Sequence, residues 1–147
     1  MKKIINALLF LAIVTNCLSQ VKVSDTKVPE LIGEIRLMGK LNISLTKDNG
    51  ICELTYIDEK FTQITNYKSF LFRESDIETI YNLLTSEQEK GTKKTIELED
   101  GGRLDIEFNK SMGSKYITIY HIDKAGVIGM CRMNLKQINK VFGKSTK

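Results

Sequence analysis

The sequence predicts an α+β fold, mainly antiparallel sheet with two helices, laid out as two successive ββββα units. Three observations carry this. Eight short runs alternate apolar and polar residues, the period of a strand with one buried face. Asn, Asp and Gly clusters sit between several of those runs where a hairpin has to turn. Twice, after four such runs, the apolar spacing changes to the three-and-four pattern of a helix.

In chain order, strands are expected at Ile32 to Leu37 and Leu41 to Thr46, and the Asp48-Asn49-Gly50 turn leads into Ile51 to Ile57. In that third run Cys52, Leu54 and Tyr56 alternate with Glu53 and Thr55. A fourth strand is expected within Ile64 to Phe72. A helix from Asp76 to about Glu87 follows: Ser75 and Glu78 have the spacing of a capping box, and Ile77, Ile80, Tyr81 and Leu84 share one face. Gly91 stops this segment or follows its frayed end.

Strands resume at Thr95 to Glu99 and Arg103 to Phe108 around Asp100-Gly101-Gly102, then at Tyr116 to Ile122 and Val127 to Arg132. Asn134 is placed to cap a last helix with Leu135, Ile138, Asn139 and Phe142 on one face, and Gly143 stops it. An offset of 58 residues superposes Ile77, Ile80 and Leu84 on Leu135, Ile138 and Phe142, so a duplicated ββββα unit is expected. The element order resembles that of the Whirly and Pur-alpha single-strand-binding folds across nearly the whole mature chain. That resemblance implies architecture and no more, since no sequence motif of either family is present.

The N-terminus is an address. Lys2 and Lys3 precede Ile4 to Val14, apolar apart from Asn6, and small residues at Cys17 and Ser19 suit signal-peptidase cleavage between Ser19 and Gln20. The chain thus divides into a secretory signal over 1–19, a leader over 20–30 containing the single proline, and one α+β domain over 31–147 with halves 31–91 and 92–147. The destination is periplasmic or extracellular. Val14-Thr15-Asn16-Cys17 also resembles a bacterial lipoprotein box, departing from it at Asn16, and the alternative is a lipoprotein anchored at Cys17. The wealth of Lys, Ile and Asn suits an AT-rich bacterial genome. No apolar run in the mature chain is long enough to span a bilayer.

Removing the signal leaves 20 basic against 18 acidic residues, a mature charge of +2, which does not suit nucleic acid. Cys52 and Cys131 remain. One long-range disulfide is open to them in an oxidising compartment, but two buried thiols are preferred, because Cys52 is in phase with Leu54 and Tyr56 whereas Cys131 is out of phase with Ile128 and Met130.

Catalytic machinery is not legible. The only histidine, His121, lies in phase with Ile117 and Ile119 and reads as a satisfied or edge histidine before it reads as a general base. No nucleophile elbow, phosphate loop or metal-ligand spacing occurs, so neither a metal nor another cofactor is expected. Two charge features remain. If Leu98 opposes Leu104, Glu97 faces Asp105 across the hairpin, a pair able to do proton chemistry only if burial raises one pKa. Residues 110–147 carry +7 and residues 20–109 carry −5, and Lys136, Lys140, Lys144 and Lys147 form a stripe opposite the apolar face of the last helix. That stripe is the one feature from which a partner can be read, either an envelope polyanion or the acidic half of the same molecule. The expected function is a small exported, non-enzymatic binding or inhibitor-type module with an unknown protein or envelope ligand. The alternatives are an enzyme or enzyme subunit using the Glu97–Asp105 pair and an electrostatic binder of a polyanion.

Overall fold

The computed structural model describes residues 27–111 and 113–144. The expected signal, its cleavage point at Ser19 and Gln20, Cys17 and Lys147 lie outside them.

The chain forms β1 (Glu30–Leu37), β2 (Lys40–Asp48), β3 (Ile51–Ile57) and β4 (Tyr67–Arg73), then a short 3₁₀ turn at Glu74–Asp76 and helix α1 (Ile77–Thr85). The second unit repeats the order with β5 (Lys93–Glu97), β6 (Arg103–Ser111), β7 (Ser114–Ile122), β8 (Ile128–Asn134) and helix α2 (Leu135–Val141). Each set of four strands is its own antiparallel meander, β1-β2-β3-β4 and β5-β6-β7-β8. Both sheets turn their apolar faces inward and share one core with the helices, including Leu45, Leu54, Tyr56 and Phe70 from the first sheet and Leu104, Ile106, Ile119 and Met133 from the second. The α+β class and the ββββα-ββββα order are those expected from the sequence.

Turn chemistry closes the hairpins. Asn49 and Gly50 both take positive φ, at 48° and 80°, which matches the twist of β2 and β3. At the end of α2, Gly143 adopts φ 65° and lets the Lys144 amide reach back to the Asn139 carbonyl at 2.8 Å, while the Gly143 amide donates to Lys140 at 3.3 Å. This is the Schellman closure, which satisfies carbonyls the helix leaves open. At its other end Asn134 makes a full capping box with Gln137, at 2.9 Å and 2.8 Å.

Three local expectations are corrected. Ser75 and Glu78 form no capping box: Ser75 sits inside the 3₁₀ turn, and its hydroxyl donates to Asp76 Oδ1 at 3.2 Å. Asp76, at φ −95° and ψ −5°, then precedes α1 with no side-chain cap, because an N-cap oxygen reaches the first turn only from an extended backbone. Helix α1 stops at Thr85, close to the expected end, and of the two expected roles Gly91 takes the second, following the helix in the next loop, where its amide donates to the Phe108 carbonyl at 2.8 Å. In α2 the buried face is Ile138, Val141 and Phe142, and Leu135 is 52% exposed. In β8 the inward residues are Gly129, Cys131 and Met133, with Ile128 exposed and Met130 half-buried. The phase of β8 is reversed because Gly129 leaves room for the Tyr56 hydroxyl, which would lie 2.2 Å from a Cβ placed there.

The two units meet through equivalent positions. Tyr56 and His121 hold matching places on β3 and β7: Tyr56 lies between Ile43 and Lys68, and His121 lies between Leu104 and Gly129. They hydrogen-bond each other at 3.2 Å. Tyr81 and Asn139, each the fifth residue of its helix, do the same at 3.0 Å. Residues touch their own counterparts only close to a twofold axis, so the units are related by an approximate one. The 3₁₀ turn before α1 has no counterpart before α2, so the offset of 61 residues between β4 and β8, whose last residues are Arg73 and Asn134, becomes 58 between the helices, whose first residues are Ile77 and Leu135.

Candidate functional site

Two features outside ordinary core packing emerge from this frame: a buried polar cluster at the inter-sheet junction and an apolar cavity under α1.

The cluster begins where β3 ends. Asp58 is fully buried, and its Oδ1 accepts hydrogen bonds from the amides of Lys60 at 3.2 Å and Met130 at 3.0 Å. The Glu59 amide donates to the Met130 carbonyl at 2.8 Å, Glu59 Oε1 accepts from the Arg132 amide at 3.2 Å, and Lys60 Nζ donates to the Ile128 carbonyl at 3.1 Å. The segment from Asp58 to Lys60 thereby covers the outer edge of β8, the terminal strand of the second sheet. Asp58 Oδ2 has no hydrogen bond, and Lys68 Nζ stands 3.8 Å away as its counter-charge.

His121 and Tyr56 complete the cluster. Burial, opposed by Asp100 and Asp123 and reinforced by Lys68, holds the His121 pKa below its ordinary value, and burial pushes that of Tyr56 up. His121 Nε2 is buried without a partner. Chemically the cluster contains an acid, a cation, a phenol and an imidazole. It is nonetheless sealed, with Tyr56 and Asp58 fully buried and the Tyr56 hydroxyl packed against Gly129. The arrangement ties the two sheets together and leaves no room for a reacting molecule. Sequence reasoning placed His121 on the apolar face of its strand, where it stands, but could not see that Tyr56, 65 residues away, would be its partner.

The cavity is the more accessible feature. It has a volume of about 160 Å³, with Leu84 from α1, Phe108 and Ile117 from β6 and β7, and Leu135 and Ile138 from α2 on its walls. Its origin lies in unequal helix packing. On the first sheet α2 comes down to van der Waals contact: a Cβ on Gly33 in β1 would lie 2.2 Å from the Lys140 carbonyl oxygen. On the other side α1 ends at Thr85, and the chain leaves along residues 86–92, so a cavity remains between Leu84 and the buried inner-face residues Phe108 and Ile117 of β6 and β7. Polar residues Glu87, Lys90, Lys110 and Lys115 rim the opening. The sequence reading took Leu84, Phe108, Leu135 and Ile138 as core, correctly for the buried ones, and had no means of detecting a gap between them.

The charged features read from the sequence fall elsewhere. Glu97 does not face Asp105; Glu97 opposes Arg103 and Thr95 opposes Asp105. The register shifts because the turn spans Leu98 to Gly102, closed by the Leu98 amide on the Gly102 carbonyl at 2.8 Å and by Asp100 Oδ1 on the Gly102 amide at 2.9 Å. Asp105 accepts from Thr95 at 2.9 Å and Arg103 at 3.4 Å on the outward sheet face, and Glu107 opposes Lys93. The acidic face is therefore charge-compensated in place and forms no carboxylate pair.

The lysine stripe is divided. Lys136 and Lys140 are exposed on α2, whereas Lys144 pairs with Glu78 of α1 and lies 5.2 Å above the Tyr81 ring. Part of the basic tail thus lies over the acidic half of the same molecule. Cys52 and Cys131 are free, buried thiols, and burial raises the pKa of both. Among the described residues no group of His, Cys, Asp and Glu is placed to hold a metal ion, and no helix is long and apolar enough to cross a membrane. No protein-family model, curated protein or solved structure matches the chain.

Proposed function

We propose that this protein is an exported binding module, working without catalysis, that captures its ligand in the apolar cavity between α1, the β6–β7 hairpin and α2. The observation that carries this reading is the cavity itself: a concave, mainly apolar space of about 160 Å³ reached past a charged rim. The carboxylate mechanism loses support because Asp105 is held by Thr95 and Arg103 and Glu97 opposes Arg103. Attachment to a polyanion through Lys136, Lys140, Lys144 and Lys147 loses support because Lys144 is engaged with Glu78.

Apolar cavities of about 150 Å³ take up benzene-sized molecules. Benzene should raise the thermal midpoint of the protein in a concentration-dependent way, by mass action on the folded state. Leu135→Trp, at a half-exposed wall position, should occupy the space and abolish the shift. An unchanged midpoint at saturating benzene would overturn the reading. Export is read from residues 1–19 and is checked by intact mass. The expected mature protein begins at or near Gln20, and a first residue of diacylglycerol-modified Cys17 would replace free export by anchoring.

A further inference from the structure

We propose, resting on the reading of the cavity as the binding site, that its ligand is a short amphiphilic anion: a free carboxylate with an apolar tail of about six carbons. The tail follows from volume and lining. Leu84, Phe108, Ile117, Leu135 and Ile138 supply most of the wall, with Thr85, Gln88, Asn109 and Tyr116 among its polar members, and 160 Å³ is far too small for the full acyl chain of a membrane lipid. A free short-chain acid fits where a lipid does not.

The head group follows from the rim. Lys90, Lys110 and Lys115 line it against a single acid, Glu87. Lys115 lies 3.4 Å from Glu87, whereas Lys90 and Lys110 make no salt bridge among the described residues. The neighbouring shallow depression shares Lys115 and Tyr116 with the cavity and adds Arg132, whose guanidinium stacks 5.0 Å above the Tyr116 ring, together with one acid, Glu59. Besides Glu87, the C-terminal end of α1 is of opposite sign, since helix carbonyls favour cations. Its carbonyls are partly covered: the Thr85 hydroxyl donates to Tyr81 at 2.9 Å and the Ser86 hydroxyl to Leu83 at 2.7 Å. A carboxylate at the mouth therefore meets two lysines free of carboxylate contacts while its tail lies against a mainly apolar wall.

Calorimetric titration of the purified protein with hexanoate, hexanol and hexylamine separates the possibilities. Hexanoate should bind best and hexylamine worst, and only hexanoate should weaken as salt is raised, because exposed charge contacts are screened. Reversing the free charges with Lys90→Glu and Lys110→Glu together should weaken hexanoate about tenfold and leave hexanol unchanged. Hexanol binding as tightly as hexanoate, without salt dependence, would overturn the anionic head group and leave the cavity reading standing. Tightest binding by hexylamine would do the same. Failure of all three to bind would overturn the cavity reading and this proposal with it.

Discussion

Gly33 and Gly39 are both required as glycine, for different reasons. Gly39 takes φ 79° in the β1–β2 turn with open space where a side chain would go, so Gly39→Ala meets only the backbone penalty of the left-handed region, about 1–2 kcal/mol. Gly33 has no such backbone demand, but a methyl would meet the carbonyls of Lys140 at 2.2 Å and Val141 at 2.6 Å, atoms fixed in α2. Gly33→Ala must push the helix off β1 and should cost about 1–3 kcal/mol, as overpacking does, together with chemical-shift changes spreading through α2. Urea unfolding and amide spectra of both variants check this; α2 amides unmoved by Gly33→Ala would contradict the close approach. His121 supplies a second test at this scale. Its folded-state pKa lies below the ordinary imidazole value of about 6.5 because burial penalises the imidazolium, with Lys68 adding to the effect and Asp100 and Asp123 opposing it. The unfolded chain therefore takes up the proton first, and the stability tied to neutral His121 is complete above about pH 6.5 and declines as pH falls below it. Urea midpoints measured at pH 7.5 and pH 5.5 should fall more for the protein than for His121→Gln. An equal fall in both would place the pH dependence in other groups.

At the scale of elements, α2 shows how far periodicity reaches. Its existence, its Asn134 cap and its Gly143 stop were all readable, because caps and left-handed glycines are local requirements. Its rotation was not. Leu135 and Val141 compete for the buried stripe, and the choice is made by the close approach at Gly33, a tertiary event. Ile138→Ala should then cost about 2–5 kcal/mol, the usual penalty for truncating a buried side chain. Leu135→Ala, at a half-exposed position, should cost less than about 0.5 kcal/mol. Equal losses from the two in chemical denaturation would contradict the observed face. The same limit explains β8 and the β5–β6 hairpin. Alternation marks a strand but leaves two phases, and in β8 the phase was set by Tyr56 packing over Gly129, a residue with no side chain to count. In the hairpin, Asp100, Gly101 and Gly102 all read as turn residues, but Gly102 is drawn into the pairing by its bonds to Leu98 and Asp100, which displaces the loop by one residue and with it every cross-strand pair.

At the scale of the whole molecule, two ββββα units close around an approximate twofold axis through Tyr56–His121 and Tyr81–Asn139, and the departures from that symmetry carry the functional reading. The element order and the likeness of the helices were legible because they repeat in the sequence. The cavity was not, because it arises from a difference between the units: α2 seats on β1, whereas α1 ends at Thr85 and leaves a cavity beside Phe108 and Ile117. Nor was the partial neutralisation of the lysine stripe, since the Lys144–Glu78 contact joins residues 66 apart in the chain. The binding reading stands or falls on whether the space under α1 admits an apolar molecule. Methyl spectra of the protein titrated with benzene test this most directly. The account predicts saturable shifts at the methyls of Leu84, Ile117, Leu135 and Ile138, with those of Leu45 and Leu54 in the first sheet unmoved. Shifts confined to other sites, or none at all, would contradict it.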